Sequence, residues 1–263
     1  MKKLLLASVS SLALAGMAYG ADLAPIAYKA PPPPPVANWQ GFYLGVQGGI
    51  TRHEASFNDL GSFFLNTLGD ISGSSFLISK SGGMAGGYAG YNFQDRSFVY
   101  GIEADINWVG AKATATWGGQ TTFNDSALQS HDVPWLATFR GRMGIDFEST
   151  MFYWTGGLAV ANVKNSMTGF CTVAFGCGGP AGAAFATFSE DTTRLGWTAG
   201  AGVEHMFASH WTVRGEVRYV DLGRKSVTCA DITVGACQAS TTNYRGDFSN
   251  TLLSGLVGLG YKF

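Results

Sequence analysis

The last eight residues read Leu256-Val257-Gly258-Leu259-Gly260-Tyr261-Lys262-Phe263. Val257, Leu259, Tyr261 and Phe263 alternate with Leu256, Gly258, Gly260 and Lys262. That is the two-residue period of a strand with one apolar, aromatic face and one glycine-rich face. An ordinary buried final strand is the bland reading, but a sheet in water rarely finishes on an exposed aromatic. A strand solvated by lipid, with aromatic rings at the rim, accounts for the pattern directly.

Working outward, the composition fits that reading. Thirty-seven glycines and 13% aromatic residues accompany only 13% charged residues. The charge is too low for a disordered chain, and the glycine too abundant for a helical bundle. Past the first twenty positions no run of about 18 apolar residues exists to form a membrane helix. Mean hydropathy is only +0.10, as expected when apolar and polar positions alternate and cancel.

Lys2 and Lys3, the apolar stretch Leu4 to Ala15, and Ala18-Tyr19-Gly20 predict a signal peptide over 1–20, cleaved before Ala21. Without those lysines the mature chain is mildly acidic, which excludes a basic stripe for nucleic acid. Residues 21–38 contain the run Pro31 to Pro35 and read as a stiff periplasmic linker, with a peptidoglycan or partner contact as the functional alternative.

From Trp39 onward, alternation marks eight segments, at 39–51, 83–93, 98–112, 135–147, 151–163, 194–206, 211–221 and 252–263. Short turns fall at 94–97, 148–150 and 207–210; long connections cover 52–82, 113–134, 164–193 and 222–251. The expectation is one all-β domain over 39–263, an eight-stranded antiparallel transmembrane β-barrel with long extracellular loops and short periplasmic turns.

Parity assigns the faces. Tyr100, Ile102, Ile106 and Trp108 point to lipid, with Glu103 and Asp105 opposite. Phe139, Met143 and Ile145 oppose Thr138, Arg140 and Arg142. Val213, Val217 and Tyr219 oppose Arg214, Glu216 and Arg218, while Glu204 lies opposite Trp197 and Val203. A charge on the lipid face costs about 2–4 kcal/mol near the midplane, so these charges face inward and need partners. Arg140, Arg142, Arg214 and Arg218 match Glu103, Asp105, Glu204 and Glu216 as a lumen charge network.

Cys171, Cys177, Cys229 and Cys237, in an exported chain, suggest two disulfides, paired within each loop or crossed between them. Their spacing does not fit a zinc site, and no metal site is expected. His131 beside Ser130 or Ser126 is the sole histidine–serine candidate for a rim enzyme, and adjacency is not a triad. His53 and His131 are candidate haem ligands against the simpler reading of solvated loop histidines. Gly82 to Gly87 lacks the lysine and helix of a phosphate loop. The residues point to no catalytic group and no cofactor.

Trp39-Gln40-Gly41-Phe42-Tyr43-Leu44-Gly45, Ala89-Gly90-Tyr91-Asn92-Phe93-Gln94, Tyr153 to Ala159, Gly196 to Glu204 and the closing Val257 to Phe263 resemble the small outer-membrane porin-family proteins of alphaproteobacteria, the outer-membrane immunogenic proteins. The resemblance implies an OmpA-like barrel in the Gram-negative outer membrane, with lipid and the barrel-insertion machinery as partners. Val257, Leu259, Tyr261 and Phe263 are similar to the C-terminal insertion signal of such proteins. A monomer with a structural, envelope-integrity and surface-interaction role is expected. The alternatives are a narrow passive channel for small solutes or ions, and haem or host-ligand binding through the loops.

Overall fold

Alternating side chains carry the chain through ten strands: β1 (Gly41–Asp59), β2 (Ser75–Asp95), β3 (Phe98–Val109), β4 (Ala113–Gly118), β5 (Asp125–Asp132), β6 (Trp135–Phe147), β7 (Thr150–Cys171), β8 (Ala184–Ala208), β9 (Trp211–Thr228) and β10 (Arg245–Lys262). The computed structural model describes residues 37–59, 75–118, 125–171, 180–228 and 245–263. Every pairing is antiparallel, in the order β4-β5-β7-β6-β3-β2-β1-β10-β9-β8, and β8 also pairs with β7. Eight strands therefore hydrogen-bond in a closed circuit, and β4–β5 is a hairpin attached to the upper part of β7.

The expected eight-stranded barrel is corrected by this topology. The sheet has ten strands, because 113–134, read as a loop, folds into β4 and β5. The ring strands also outrun their expected limits, as β1 continues to Asp59 and β8 starts at Ala184. These extensions alternate charged or polar residues with buried ones, as in Arg52, Glu54 and Ser56 against His53, Ala55 and Phe57. Hydropathy alone does not register such a pattern.

Two-residue turns join β2 to β3, β6 to β7 and β8 to β9, at one end of the ring. Arg96 and Glu148 enter them at φ of 54° and 60°, the left-handed region that tight hairpins use. The strand ends at Asp59 and Ser75, Cys171 and Ala184, and Thr228 and Arg245 lie at the other end. The outer face carries Phe42, Phe93, Phe98, Tyr100, Phe147, Phe152, Trp211, Tyr261 and Phe263 near the turns, and Trp108, Trp197 and Tyr219 towards the loops. Phe263 sits 5.7 Å from Phe42 and 5.2 Å from Tyr261, ring centre to ring centre, across the β1–β10 seam. Between the two aromatic bands the outward residues are apolar, including Ile102, Phe139, Leu158 and Val217. Such a surface is stable only against hydrocarbon. Above the loop-side band the outward residues become ion pairs, Arg52–Glu54 at 2.8 Å and Lys164–Asp191 at 3.1 Å, which marks where hydrocarbon ends.

Trp39 behaves differently from the outward indoles. It is 2% exposed and packs with Val99, Met151 and Tyr153 at the turn end of the ring interior. Its Nε1 donates to Asp146 Oδ1 at 2.9 Å, and its backbone N–H to Gln94 Oε1 at 2.7 Å. Single-tryptophan variants test this placement. Trp154 fluorescence should be strongly quenched by lipid brominated on its acyl chains, and Trp39 fluorescence should not.

Candidate functional site

Inward-pointing side chains meet across the ring because strand parity sends them there, and an eight-strand circuit leaves an interior only wide enough for side chains. Arg140 on β6 is fully buried and is held on three sides. Its Nη2 lies 2.5 Å from Glu103 and 3.2 Å from Asp105; its Nη1 lies 2.5 Å from Glu216 and donates to Thr155 Oγ1 at 2.9 Å. Arg218 bridges Asp105 and Glu216 at 2.9 and 2.8 Å. Arg214 reaches Glu103 and Gln47, both at 2.6 Å. Arg142 pairs with Glu204 and lies 3.9 Å from Glu103.

Four arginines and four carboxylates thus form one neutral cluster, as their parity and balanced charge foretold. Neutral groups that the sequence reading did not assign to the cluster complete it. Tyr43 and Tyr153 donate to Glu103 and Glu216 at 2.9 and 3.0 Å. Asn107 and Thr138 donate to Asp105, and Gln47 donates to Asn107 at 2.7 Å. The guanidinium carbons of Arg142 and Arg214 lie 4.0 and 3.4 Å from the ring centres of Tyr153 and Tyr88, so aromatic faces also meet the cations.

Cross-strand glycines make room for these rings. A Cβ on Gly45 would come within 2.4 Å of the Tyr88 ring, and one on Gly202 within 2.6 Å of the Tyr153 ring. Each glycine is the register partner of the tyrosine it accommodates. Tyrosine opposite glycine was the available sequence signal, legible only once register is known.

Towards the loops the interior turns apolar. Met84, Val109, Leu136, Ala159, Val220, Leu252 and Leu256 form a buried layer directly above the charges. With Trp39 below, the cluster is closed from both ends. Buried ion pairs recover their desolvation cost only with good geometry and added hydrogen bonds; here tyrosine, threonine and amide groups add such bonds, while Arg140 Nε, Arg142 Nε and Nη1 and Arg218 Nη2 find no hydrogen-bond partner among the described residues. Chemically this arrangement fills space and ties strands together; it presents no nucleophile and base to a substrate.

The remaining predicted residues are placed as follows. Val257, Leu259 and Phe263 are exposed on the outer face, and Tyr261 is half-buried among Trp211, His210 and Phe263. His53 and His131, expected to be solvated in loops, are buried instead, because the strands that carry them extend beyond the membrane. The proposed disulfides lie outside the described residues: Cys177, Cys229 and Cys237 are not described, and neither is the Cys171 side chain.

An antiparallel strand ring with a lipid-solvated exterior and a charge-filled, capped interior defines an outer-membrane structural protein. The comparisons agree: the chain belongs to the outer membrane protein beta-barrel domain family, which matches residues 5–263. It is 33% identical over 272 residues to the 31 kDa outer-membrane immunogenic protein of Brucella melitensis, covering all of both chains. It is 27% identical over 270 residues to the 25 kDa outer-membrane immunogenic protein of the same organism, covering 100% of this chain and 99% of that one. To the 22 kDa outer membrane protein of Rhizobium leguminosarum it is 31% identical over 232 residues, covering 88% and 82%. The resemblance to alphaproteobacterial outer-membrane immunogenic proteins is therefore correct. The protein resides in the Gram-negative outer membrane and has the lipid of that membrane as its partner.

Glu103 gathers the most cations, so its loss should be the most damaging. Glu103→Ala should lower unfolding stability in lipid vesicles by about 3–5 kcal/mol, by removing the carboxylate that pairs Arg214 and one of the three that hold Arg140. Arg52→Ala, at an exposed pair, should cost under about 1 kcal/mol in the same urea titration.

Proposed function

We propose that this protein is a sealed, monomeric pillar of the outer membrane that presents its loop end to the outside and conducts nothing. The observation that carries this is Arg140, fully buried and held by Glu103, Asp105 and Glu216 at the centre of the ring. Moving an ion past it would break several charge-assisted bonds in a water-poor interior. The apolar layer above and Trp39 below add two further barriers.

In this reading the two-residue turns face the periplasm, 1–20 is a signal peptide removed on export, and 21–38 is a proline-rich linker. The longer connections face outward, as in outer-membrane strand proteins generally. Val257, Leu259, Tyr261 and Phe263 serve as the terminal signal for the insertion machinery, supported by the outward aromatic row at the β1–β10 seam. Contacts with host molecules fall to the loops. Haem ligation is not favoured, because both ring nitrogens of His53 are hydrogen-bonded inside the protein and His131 is buried against the Phe248 ring.

Planar-bilayer recording on refolded protein, shown to be folded by a boiling-dependent gel shift, tests the proposal. Silence is expected, also for Trp39→Ala, since the charged and apolar layers stay in place. Reproducible discrete openings of the unaltered protein would overturn it.

A further inference from the structure

Beyond the apolar layer the ring holds a second polar cluster, at the level of the outward ion pairs Arg52–Glu54 and Lys164–Asp191 and so outside hydrocarbon. His53 on β1 and His131 on β5 are both buried there. His131 Nδ1 lies 2.8 Å from Asn165 Oδ1, and Asn165 Nδ2 donates to Glu190 Oε2 at 3.2 Å. The amide nitrogen is committed to the carboxylate, so the amide oxygen accepts and His131 Nδ1 carries the proton. The neutral ring is then complete. A second proton would sit on Nε2, for which no hydrogen-bond acceptor stands among the described residues.

His53 is placed differently. Its Nδ1 lies 3.2 Å from Ala111 O and its Nε2 3.0 Å from Asn250 Oδ1. With an oxygen at each nitrogen, His53 can take up a proton without losing a bond. His131 is therefore the residue that charging disturbs.

The charged surroundings sharpen this. On β8, Glu190 is already shared by Arg194 at 2.9 Å and Lys225 of β9 at 3.2 Å. Arg194 Nε and Nη1 are buried with no partner among the described residues. Asp132 follows His131 on β5 and acts on His53. Lys80 of β2 is the register partner of His53, and Lys112 lies on the segment that joins β3 to β4. Phe248 of β10 covers the His131 ring, 5.7 Å away. A charged His131 would thus face Arg194 and His53, with Glu190 already engaged.

The element bearing His131 is also the most weakly held. Among the described residues β4 pairs only with β5. The β2–β3 ladder ends at Met84–Val109, followed by one bond from Gly110 N–H to Gly83 O. Past that point no strand among the described residues pairs with the upper edge of β2 on the β3 side. The hairpin depends on the β5–β7 ladder, on His131–Asn165 and on the His53 contact to Ala111.

We propose that protonation of His131 releases the β4–β5 hairpin, so that acid loosens the loop end of the ring while the charged layer stays shut. Burial holds His131 down to about 4; the bond to Asn165 opposes this, and His53 and Arg194 add to it. Burial also lowers His53. Glu190, despite burial, is held below its usual value by Thr192 and Arg194, and stays ionised in mild acid. Because the opened form binds the His131 proton more tightly, closure is at full strength above about pH 6.5 and weakens as pH falls towards about 4.

Hydrogen exchange on the full chain in lipid nanodiscs, at about pH 7.5 and about pH 4.5, tests this once intrinsic rates are divided out. Exchange over 113–118 and 125–132 should rise by about tenfold or more in acid, with 135–147 unchanged. His131→Asn stays neutral and keeps a donor towards Asn165, so it should abolish the acid response; His53→Gln should retain it. Equal acceleration in His131→Asn, or none in the unaltered protein, would overturn the proposal. Should His131→Asn fail to fold, imidazole NMR of the unaltered protein decides. A neutral, Nδ1-protonated His131 at about pH 5.5 supports the latch, and a cationic one contradicts it.

Discussion

A guanidinium cannot face hydrocarbon, and it cannot stand unpaired inside a protein. Arg140 meets both conditions by lying where three carboxylates from two other strands converge. β1, β2, β3, β6, β7, β8 and β9 each send a side chain into the same cluster, and β10 contributes Gly258, beside which Arg214 passes. Strand order, register and facing therefore depend on one charge balance. A register slip of one residue in β6 would turn Arg140 and Arg142 into lipid, take one or more cations from Glu103, Asp105 and Glu216, and leave Glu204 without the arginine it pairs with.

That dependence shapes the rest of the molecule. The interior is layered, with an indole plug, then charges, then aliphatic side chains, then histidines and amides. The lower layers are tied to strands that close on one another. The uppermost is tied in part to a hairpin with a free edge, so the turn end should be rigid and the loop end compliant. For a protein that stays in the membrane and meets the outside with its loops, rigidity belongs where lipid presses on the ring.

Much of this was legible in the chain. The charges could be sorted because the outer face needs apolar residues and the inner face tolerates polar ones, which gives Arg140 and Glu103 opposite parity to Phe139 and Ile102. The tight turns were legible because strand pattern stops on both sides of them. What escaped was whatever hydropathy does not mark. β4 and β5 alternate alanine and threonine, or serine and glutamine, and read as loop. Trp39 opens the first strand segment, but nothing in the pattern named Asp146 as the partner that its indole N–H finds inside the ring. The apolar layer was hidden because Leu136 and Val220 occupy inward positions that elsewhere carry charge.

The central claim is that the charge cluster is one cooperative unit rather than a set of incidental pairs. The most direct test is the coupling energy between Glu103 and Arg214, whose strands meet only across the interior. It would come from a double-mutant cycle with Glu103→Gln and Arg214→Gln, followed by unfolding in vesicles. The account predicts a coupling of about 1–3 kcal/mol. Additive effects, with a coupling near zero, would mean that the ring stands without its charged core and would contradict the account.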